Sequence, residues 1–287
     1  MIEHSAVSAA PRPPAAPRPP AVPHAARPAV STVQQWWVLT VRMITPTLRN
    51  GELATQVIGS IVFTVGYYLP LKQLMGAVQP LSSYAQYLTP LIVLQAIWFA
   101  AVSAAYRSAT DSVQGINRRF RAMPIASLTP LASRMTASMY RCCIALAVSV
   151  VCGHVIGFRF HEGVLYAAGF VGLALLIGAA LAFIGDLIGI ATENPEATAP
   201  LMLVPQLTLG LASVGLQPVE NFPHWIQGFV RNQPLSQWVY GLQALAGDST
   251  DAAPEATWSV LAPGLAWAAG SIVVAVVLHA RVTRRRR

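Results

Sequence analysis

The stretch GVLYAAGFVGLALLIGAALAFIGDLIGI, residues 163–190, contains a single charged side chain, that of Asp186. As an α-helix it is about 42 Å long, and the hydrocarbon core of a bilayer is only about 30 Å thick. Charged residues make up 10% of the whole chain, whereas soluble domains contain about 25%. The apolar side chains therefore face lipid, and a soluble globular domain is excluded.

Five further apolar segments have a similar length, and they cover residues 52–71, 86–106, 127–157, 197–216 and 257–280. Each is long enough to cross a bilayer as a helix, although the segment 197–216 only just reaches that length. Pro200 and Pro205 predict that this fifth span is kinked or partly broken. The pattern predicts an all-α membrane protein with six transmembrane helices.

The region before the first span divides into two parts. Residues 1–30 contain eight prolines and nine alanines, a composition typical of a disordered tail. Within residues 33–45, Val33, Trp36, Trp37, Val41 and Ile44 recur at helical spacing. We therefore expect an interfacial helix over residues 31–50, ended or kinked by Pro46. A six-helix domain over 51–281 and a basic C-terminus over 282–287 complete the predicted organisation.

The distribution of basic residues predicts the orientation. With six spans and both termini cytoplasmic, fourteen of the nineteen Lys and Arg residues lie inside, and only Lys72, Arg159 and Arg231 lie outside. This strong bias follows the positive-inside rule and predicts a multi-pass plasma-membrane protein with cytoplasmic termini. It also explains the net charge of +8 without nucleic-acid binding.

A long connection, residues 217–256, lies on the predicted outer side. It is rich in aromatic residues, namely Phe222, Trp225, Phe229, Trp238 and Tyr240. Trp225 and Phe229 are four residues apart, which places them on one face of a helix. The pattern favours a re-entrant helical hairpin that dips into the outer headgroup layer, and an ordinary outer loop is the alternative.

The sequence lacks the motif needed to hydrolyse ATP. A Walker A loop requires a lysine after a glycine-rich turn, but the only lysine, Lys72, lies in LPLKQLM on the predicted outer side. No spacing typical of a metal site or of catalytic residues occurs. We therefore expect neither enzymatic activity nor a cofactor, and any ATP hydrolysis must occur in a separate chain.

The longest internal connection on the cytoplasmic side is RSATDSVQGINRRFRAMPIASLTP, residues 107–130. Residues 112–123 are compatible with a short helix that exposes Arg118, Arg119 and Arg121 before Pro124 ends it. Two interpretations remain open at this point. The segment is either a docking helix for a cytoplasmic partner or only an anchor that follows the positive-inside rule.

Three ionisable residues lie within the apolar segments, namely Arg134, Arg141 and Asp186. Arg134 and Asp186 are each 26 residues from Phe160, close to the turn between the third and fourth spans. Two antiparallel helices place them at a similar depth, and we predict an ion pair between them unless each reaches the headgroups independently. Arg141 has no such partner and is expected to line the pathway, contact lipid or extend to the headgroups.

Four stretches resemble a known family. NGELATQVIGSIVF (50–63), ATDSVQGINRRFRAMPIASLTPL (109–131), VVCGHVIGFRFHEG (150–163) and NFPHWIQGFVRNQPLSQWVYGLQALAGD (221–248) are similar to the B permeases of the daunorubicin-resistance family, which are type-2 ABC exporter permeases. The resemblance covers roughly residues 33–280 and is collinear, but the proline-rich tail lies outside it.

The resemblance implies the fold of a type-2 exporter transmembrane domain. It also implies a cytoplasmic ABC ATPase partner and a second related permease or a second copy of this chain. Asn117, Arg118, Arg119, Phe120 and Arg121 become the ATPase-coupling segment. The implied substrate is hydrophobic or amphipathic, either a complex cell-wall lipid such as phthiocerol dimycocerosate or an anthracycline-like drug. A proton-driven secondary transporter and a membrane scaffold for lipid-synthesis and export machinery are the alternatives.

Overall fold

A computed structural model describes residues 31–49, 51–75, 82–116, 119–120, 123, 125–126, 128–249 and 253–285. The predicted disordered tail, residues 1–30, lies outside these ranges. The described residues form nine long or medium α-helices and a 3₁₀ turn at Val219–Asn221, with no strand among them. The helices are α1 (Thr32–Arg49), α2 (Glu52–Met75), α3 (Tyr84–Val113), α4 (Thr129–Ile156), α5 (Val164–Thr192), α6 (Pro195–Leu211), α7 (His224–Asn232), α8 (Pro234–Ala246) and α9 (Trp258–Arg285).

Helix α3 is the centre of the bundle. It packs against α2, α4, α5, α6 and α8, and nearly all of its residues from Tyr84 to Ala105 are buried. Its polar side chains Gln86, Thr89 and Gln95 are therefore enclosed by protein rather than exposed to lipid. By contrast, most of the apolar surface of α2 and α9 is exposed, as expected for helices at the periphery of a membrane domain.

Helices α3 and α5 approach each other closely because small residues line their contact. A Cβ atom added at Gly189 would lie 2.3 Å from the carbonyl oxygen of Ala105, and one at Gly185 would lie 2.9 Å from that of Ala101. Glycines four residues apart that face alanines allow two helix backbones to pack this tightly in a membrane. The GDLIG sequence of α5 thus fixes the position of Asp186 against α3.

The long helices alternate in direction and give the bundle two distinct ends. The basic end contains the start of α2 and the end of α3, joined there by an Arg107–Glu52 ion pair. The hairpin end contains α7, α8 and the loop that joins α4 to α5, where His161 N donates to Ala246 O at 3.0 Å.

Five helical segments in the described part of the chain are long and apolar enough to cross a bilayer: Glu52–Leu74, Tyr84–Val113, Thr129–Ile156, Val164–Thr192 and Trp258–Val282. The predicted fifth span corresponds to α6, a helix of 17 residues with Pro200 and Pro205 in its interior. Asn194 fixes the start of α6, because its side chain accepts hydrogen bonds from Glu196 N and Ala197 N. The helix that corresponds to the predicted segment 86–106 is longer than expected, since α3 continues to Val113.

Pro46 does not end helix α1, which continues to Arg49. A kink at Pro46 stays a prediction, because an interior proline removes one backbone hydrogen bond and crowds the preceding turn. Trp36 Nε1 donates to Thr136 Oγ1 at 3.2 Å and so ties α1 to α4. Val33, Trp37 and Val41 of the same helix are exposed, which gives an apolar surface suited to lipid.

Candidate functional site

Arg134 and Asp186, which sequence spacing pairs at the same depth, lie together in the structure. Arg134 Nε is 2.8 Å from Asp186 Oδ1, and Arg134 Nη2 donates to Asp186 Oδ2 at 3.4 Å. The Asp186 side chain is 3% exposed and that of Arg134 is 10% exposed. The pair is therefore shielded from solvent and joins α4 to α5 at the basic end.

Two further helices contact the Asp186 position. His279 of α9 places Nδ1 3.7 Å from Asp186 Oδ2, and Ser108 of α3 donates from Oγ to the Asp186 carbonyl oxygen at 3.1 Å. The sequence pattern did not indicate a role for His279, although this residue lies near the end of the last predicted span, at the depth expected for Asp186. Three helices, α4, α5 and α9, thus meet at the Asp186 carboxylate, and α3 contacts the Asp186 backbone.

A second ion pair joins α2 and α3 at the same end. Arg107 Nη2 donates to Glu52 Oε2, and it also donates to Thr47 Oγ1 of α1 at 3.2 Å. Thr47 Oγ1 in turn donates to Glu52 Oε2 at 3.2 Å. Sequence reasoning missed this pair because it assigned Arg107 to a connecting loop. The extended α3 instead places Arg107 on a helix that runs antiparallel to α2.

Arg141 is buried inside the bundle rather than exposed on its surface. It is 2% exposed, and its Nη2 donates to Ser138 Oγ one turn earlier at 3.1 Å. Its Nε and Nη1 have no hydrogen-bond partner among the described residues. A guanidinium in this position is expensive unless a counter-charge or water is present.

A cavity of about 340 Å³ lies between α1, α2, α3, α4 and α5 at the basic end. Its charged lining consists of four guanidinium groups and three carboxylates, from Arg42, Arg107, Arg134, Arg141, Glu52, Asp111 and Asp186. The sequence-predicted Arg134, Arg141 and Asp186 therefore line one space. In the described part of the chain, no group of His, Cys, Asp or Glu side chains is arranged to hold a metal ion.

The predicted coupling segment is described only in part. Arg119 is exposed, whereas Phe120 is buried and lines the cavity. Arg119 N donates to Gly115 O at 3.1 Å. Asn117, Arg118 and Arg121 lie outside the described residues.

The five aromatic residues predicted for the outer hairpin occupy different environments. Trp225 and Phe229 of α7 are exposed, at 83% and 54%, and they lie on the same face of a strongly amphipathic helix. Trp238 of α8 is buried, and its Nε1 donates to Gly264 O of α9 at 3.0 Å. Phe222 and Tyr240 are partly buried against the core.

Neutral side chains anchor this hairpin to the bundle, and sequence reasoning did not find them. Gln86 Nε2 donates to Arg159 O at 2.9 Å and to Gly247 O at 2.6 Å, while its Oε1 accepts from Arg159 N at 3.0 Å. Gln243 Nε2 donates to Tyr87 O at 3.0 Å, and Tyr87 donates to Val214 O. A glutamine in an apolar helix carries no signal that identifies its backbone partner.

The family model described as "ABC-2 family transporter protein" matches residues 53–281. The chain belongs to the ABC-2 transporter permease family. It is 48% identical over 263 residues to the doxorubicin resistance ABC transporter permease protein DrrB of Mycobacterium tuberculosis. The aligned region covers 90% of this chain and 91% of that relative. This match confirms the resemblance to the B permeases of drug-resistance transporters.

Two other ABC permeases are more distant relatives. The probable doxorubicin resistance permease DrrC of M. tuberculosis is 27% identical over 85% of this chain. The daunorubicin resistance permease DrrB1 of Streptomyces coeruleorubidus is 26% identical over 63% of it. As an ABC-2 permease, the chain is a multi-pass membrane protein, and its family implies an ATPase partner and a paired permease.

Proposed function

We propose that this chain is the membrane-spanning subunit of an ATP-driven exporter, with its basic end in the cytoplasm. The strongest support is the 48% identity, over nine tenths of both chains, to a doxorubicin resistance permease. In this arrangement α2 to α6 and α9 are the six spans, α1 lies in the inner interface, and α7 with α8 forms the outer re-entrant hairpin. Both termini are cytoplasmic, as the excess of basic residues favours.

In the proposed mechanism, ATP closes a cytoplasmic ATPase dimer, and the segment from Asn117 to Arg121 transmits that motion. The exposed Arg119 is suited to contact a partner, while the buried Phe120 joins the same turn to the bundle. A second related permease, or a second copy of this chain, completes the pathway. Nucleotide binding then biases the pair between inward- and outward-facing states.

The proposed substrate is hydrophobic or amphipathic, because such a molecule already partitions into the bilayer and can enter from it. The names of the relatives favour an anthracycline such as doxorubicin. A complex cell-wall lipid such as phthiocerol dimycocerosate has the same physical character and is the second proposed cargo.

Drug accumulation tests the function. We expect cells that express the chain with its ATPase and partner permease to accumulate less doxorubicin, and a catalytically inactive ATPase to abolish the difference. Efflux that persists with the inactive ATPase and follows a proton gradient would instead indicate a secondary transporter. Lipid export that requires the chain but not ATP hydrolysis would indicate a scaffold.

Co-purification tests the docking segment. Replacing Arg118, Arg119 and Arg121 by Glu should abolish recovery of the ATPase with the permease, because the partner-facing charge is reversed. Arg231→Glu is the matched control, since Arg231 is exposed on α7 at the opposite end of the bundle. Equal recovery of the ATPase with both variants would contradict the docking role.

A further inference from the structure

The lining of the cavity at the basic end includes four guanidinium groups and three carboxylates. When all seven are ionised, one positive charge is left without a carboxylate to neutralise it. Two of its guanidinium groups already have carboxylate partners, because Arg107 is paired with Glu52 and Arg134 with Asp186. Arg141 is different, because it forms no ion pair with any carboxylate in the described part of the chain.

The hydrogen bonding of Arg141 is also incomplete. Nη2 is bonded to Ser138, but Nε and Nη1 are buried and have no hydrogen-bond partner in the described part of the chain. A guanidinium binds oxyanions through two nitrogens at once, and this planar geometry fits phosphate oxygens well. The side chain is 2% exposed, so a ligand must enter the cavity to reach it.

The size and position of the cavity restrict the ligand. Its volume of about 340 Å³ is far larger than the roughly 30 Å³ of a single water molecule and lies at the lower end of the range for small-molecule pockets. One wall is formed by Leu39, Met43 and Pro46 of α1, the helix whose other face exposes apolar side chains. Phosphate-bearing lipid headgroups are concentrated at the level of such a helix, and basic pockets between membrane helices bind them.

We propose that this cavity binds a phosphate-bearing anion, with Arg141 as its principal ligand. The phosphate belongs either to a phospholipid headgroup that enters beneath α1 or to a free phosphate from solution. The bound anion neutralises the excess charge and links α1, α3 and α4 through one ligand. Binding is measured on the permease chain alone, so its test requires neither the ATPase nor a known cargo.

The experiment measures the thermal midpoint of the purified, delipidated full chain in detergent. Phosphatidylglycerol, phosphatidylcholine and inorganic phosphate are added separately to wild type, to Arg141→Gln and to Arg231→Gln. At about 100-fold excess over the dissociation constant, a bound ligand should raise the midpoint by roughly 5 °C or more. We expect this shift in wild type and in the Arg231→Gln control, and we expect no shift in Arg141→Gln.

The three additives distinguish the sources of the phosphate. Stabilisation by the phospholipids but not by inorganic phosphate identifies a headgroup, whereas stabilisation by inorganic phosphate alone identifies a free anion. No stabilisation by any additive, or an equal shift in Arg141→Gln, would overturn the proposal and leave a water-filled cavity.

A second measurement covers the case in which Arg141→Gln does not fold. Arg141→Lys keeps the charge but loses the two-nitrogen geometry. Native mass spectrometry should then show at least tenfold weaker retention of the bound phosphate compound in Arg141→Lys than in wild type. Equal retention in both proteins would also overturn the proposal.

Discussion

The two ends of the bundle are held together by different kinds of polar contact. At the hairpin end, the neutral side chains of Gln86, Tyr87 and Gln243 bond to backbone groups of other segments. At the basic end, long charged side chains pair with each other around a cavity, as Arg134 does with Asp186. The hairpin end is thus held mainly by hydrogen bonds of neutral side chains, to which the Asp248 carboxylate adds contacts with Ser82, whereas the basic end is held by ion pairs.

This difference has a mechanical consequence. A buried backbone group must keep its hydrogen-bond partner. A side chain that bonds to a backbone group with no other partner nearby therefore holds the two segments in one relative position. An arginine with several donors can exchange one acceptor for another as helices shift, and the basic end has more than one carboxylate within its cavity. We therefore expect the hairpin end to stay rigid while the basic end adjusts, which suits the proposed arrangement with an ATPase at the basic end.

The largest expected effect is at the basic end. Asp186→Asn should destabilise the protein by about 3–5 kcal/mol, because it leaves the Arg134 guanidinium in a buried site without its counter-charge. The double variant Arg134→Gln with Asp186→Asn should recover most of this loss in the thermal midpoint and in transport. Losses that simply add in the double variant would show that the two side chains do not depend on each other.

Helix packing rather than charge gives the next effect. Gly189→Ala should cost up to about 3 kcal/mol, because the new methyl group would overlap the backbone of Ala105 and the helices must separate. Gly172→Ala in the same helix is the control, since nothing lies within 4 Å of the added atom. Equal yields and thermal midpoints for both variants would disprove the close contact of α3 with α5.

At the hairpin end, Gln86→Leu keeps the size of the side chain and removes three hydrogen bonds to the backbone at Arg159 and Gly247. We expect a loss of about 1–3 kcal/mol, since buried backbone groups are left unpaired. Hydrogen exchange should increase locally at residues 158–161 and 244–248 while the basic end stays protected.

The control is Gln227→Leu, which removes one hydrogen bond to Phe222 O and should change hydrogen exchange much less. A uniform increase along the chain would contradict an independently anchored hairpin.

The sequence predicted the features that depend on regular helices. The Arg134–Asp186 juxtaposition followed from counting residues along two antiparallel helices, and the same count would have found Arg107 and Glu52 had the end of α3 been placed correctly. That end was misplaced because hydropathy decreases near residue 106, although the hydrogen-bonded helix continues beyond the apolar segment. Hydropathy does not report backbone hydrogen bonding.

The contacts of Gln86 and the cavity around Arg141 could not be predicted in this way. They depend on which residues from distant segments meet, and that is decided by the packing of α3 inside the bundle. A glutamine or arginine in an apolar segment indicates only that some polar partner is required. The partner is identified by tertiary structure alone.

The smallest expected effect distinguishes two tryptophans of the hairpin. Trp238→Phe retains most of the buried ring but removes the hydrogen bond to Gly264 O, so we expect a loss of about 1 kcal/mol. Trp225→Phe affects a side chain that is 83% exposed, and we expect a change within about 0.5 kcal/mol. The pair can be compared by thermal unfolding in the same detergent. If Trp225→Phe were the more damaging change, α7 would pack against another surface. The rigidity of the hairpin would then depend on that contact rather than on the contact of α8 with α9.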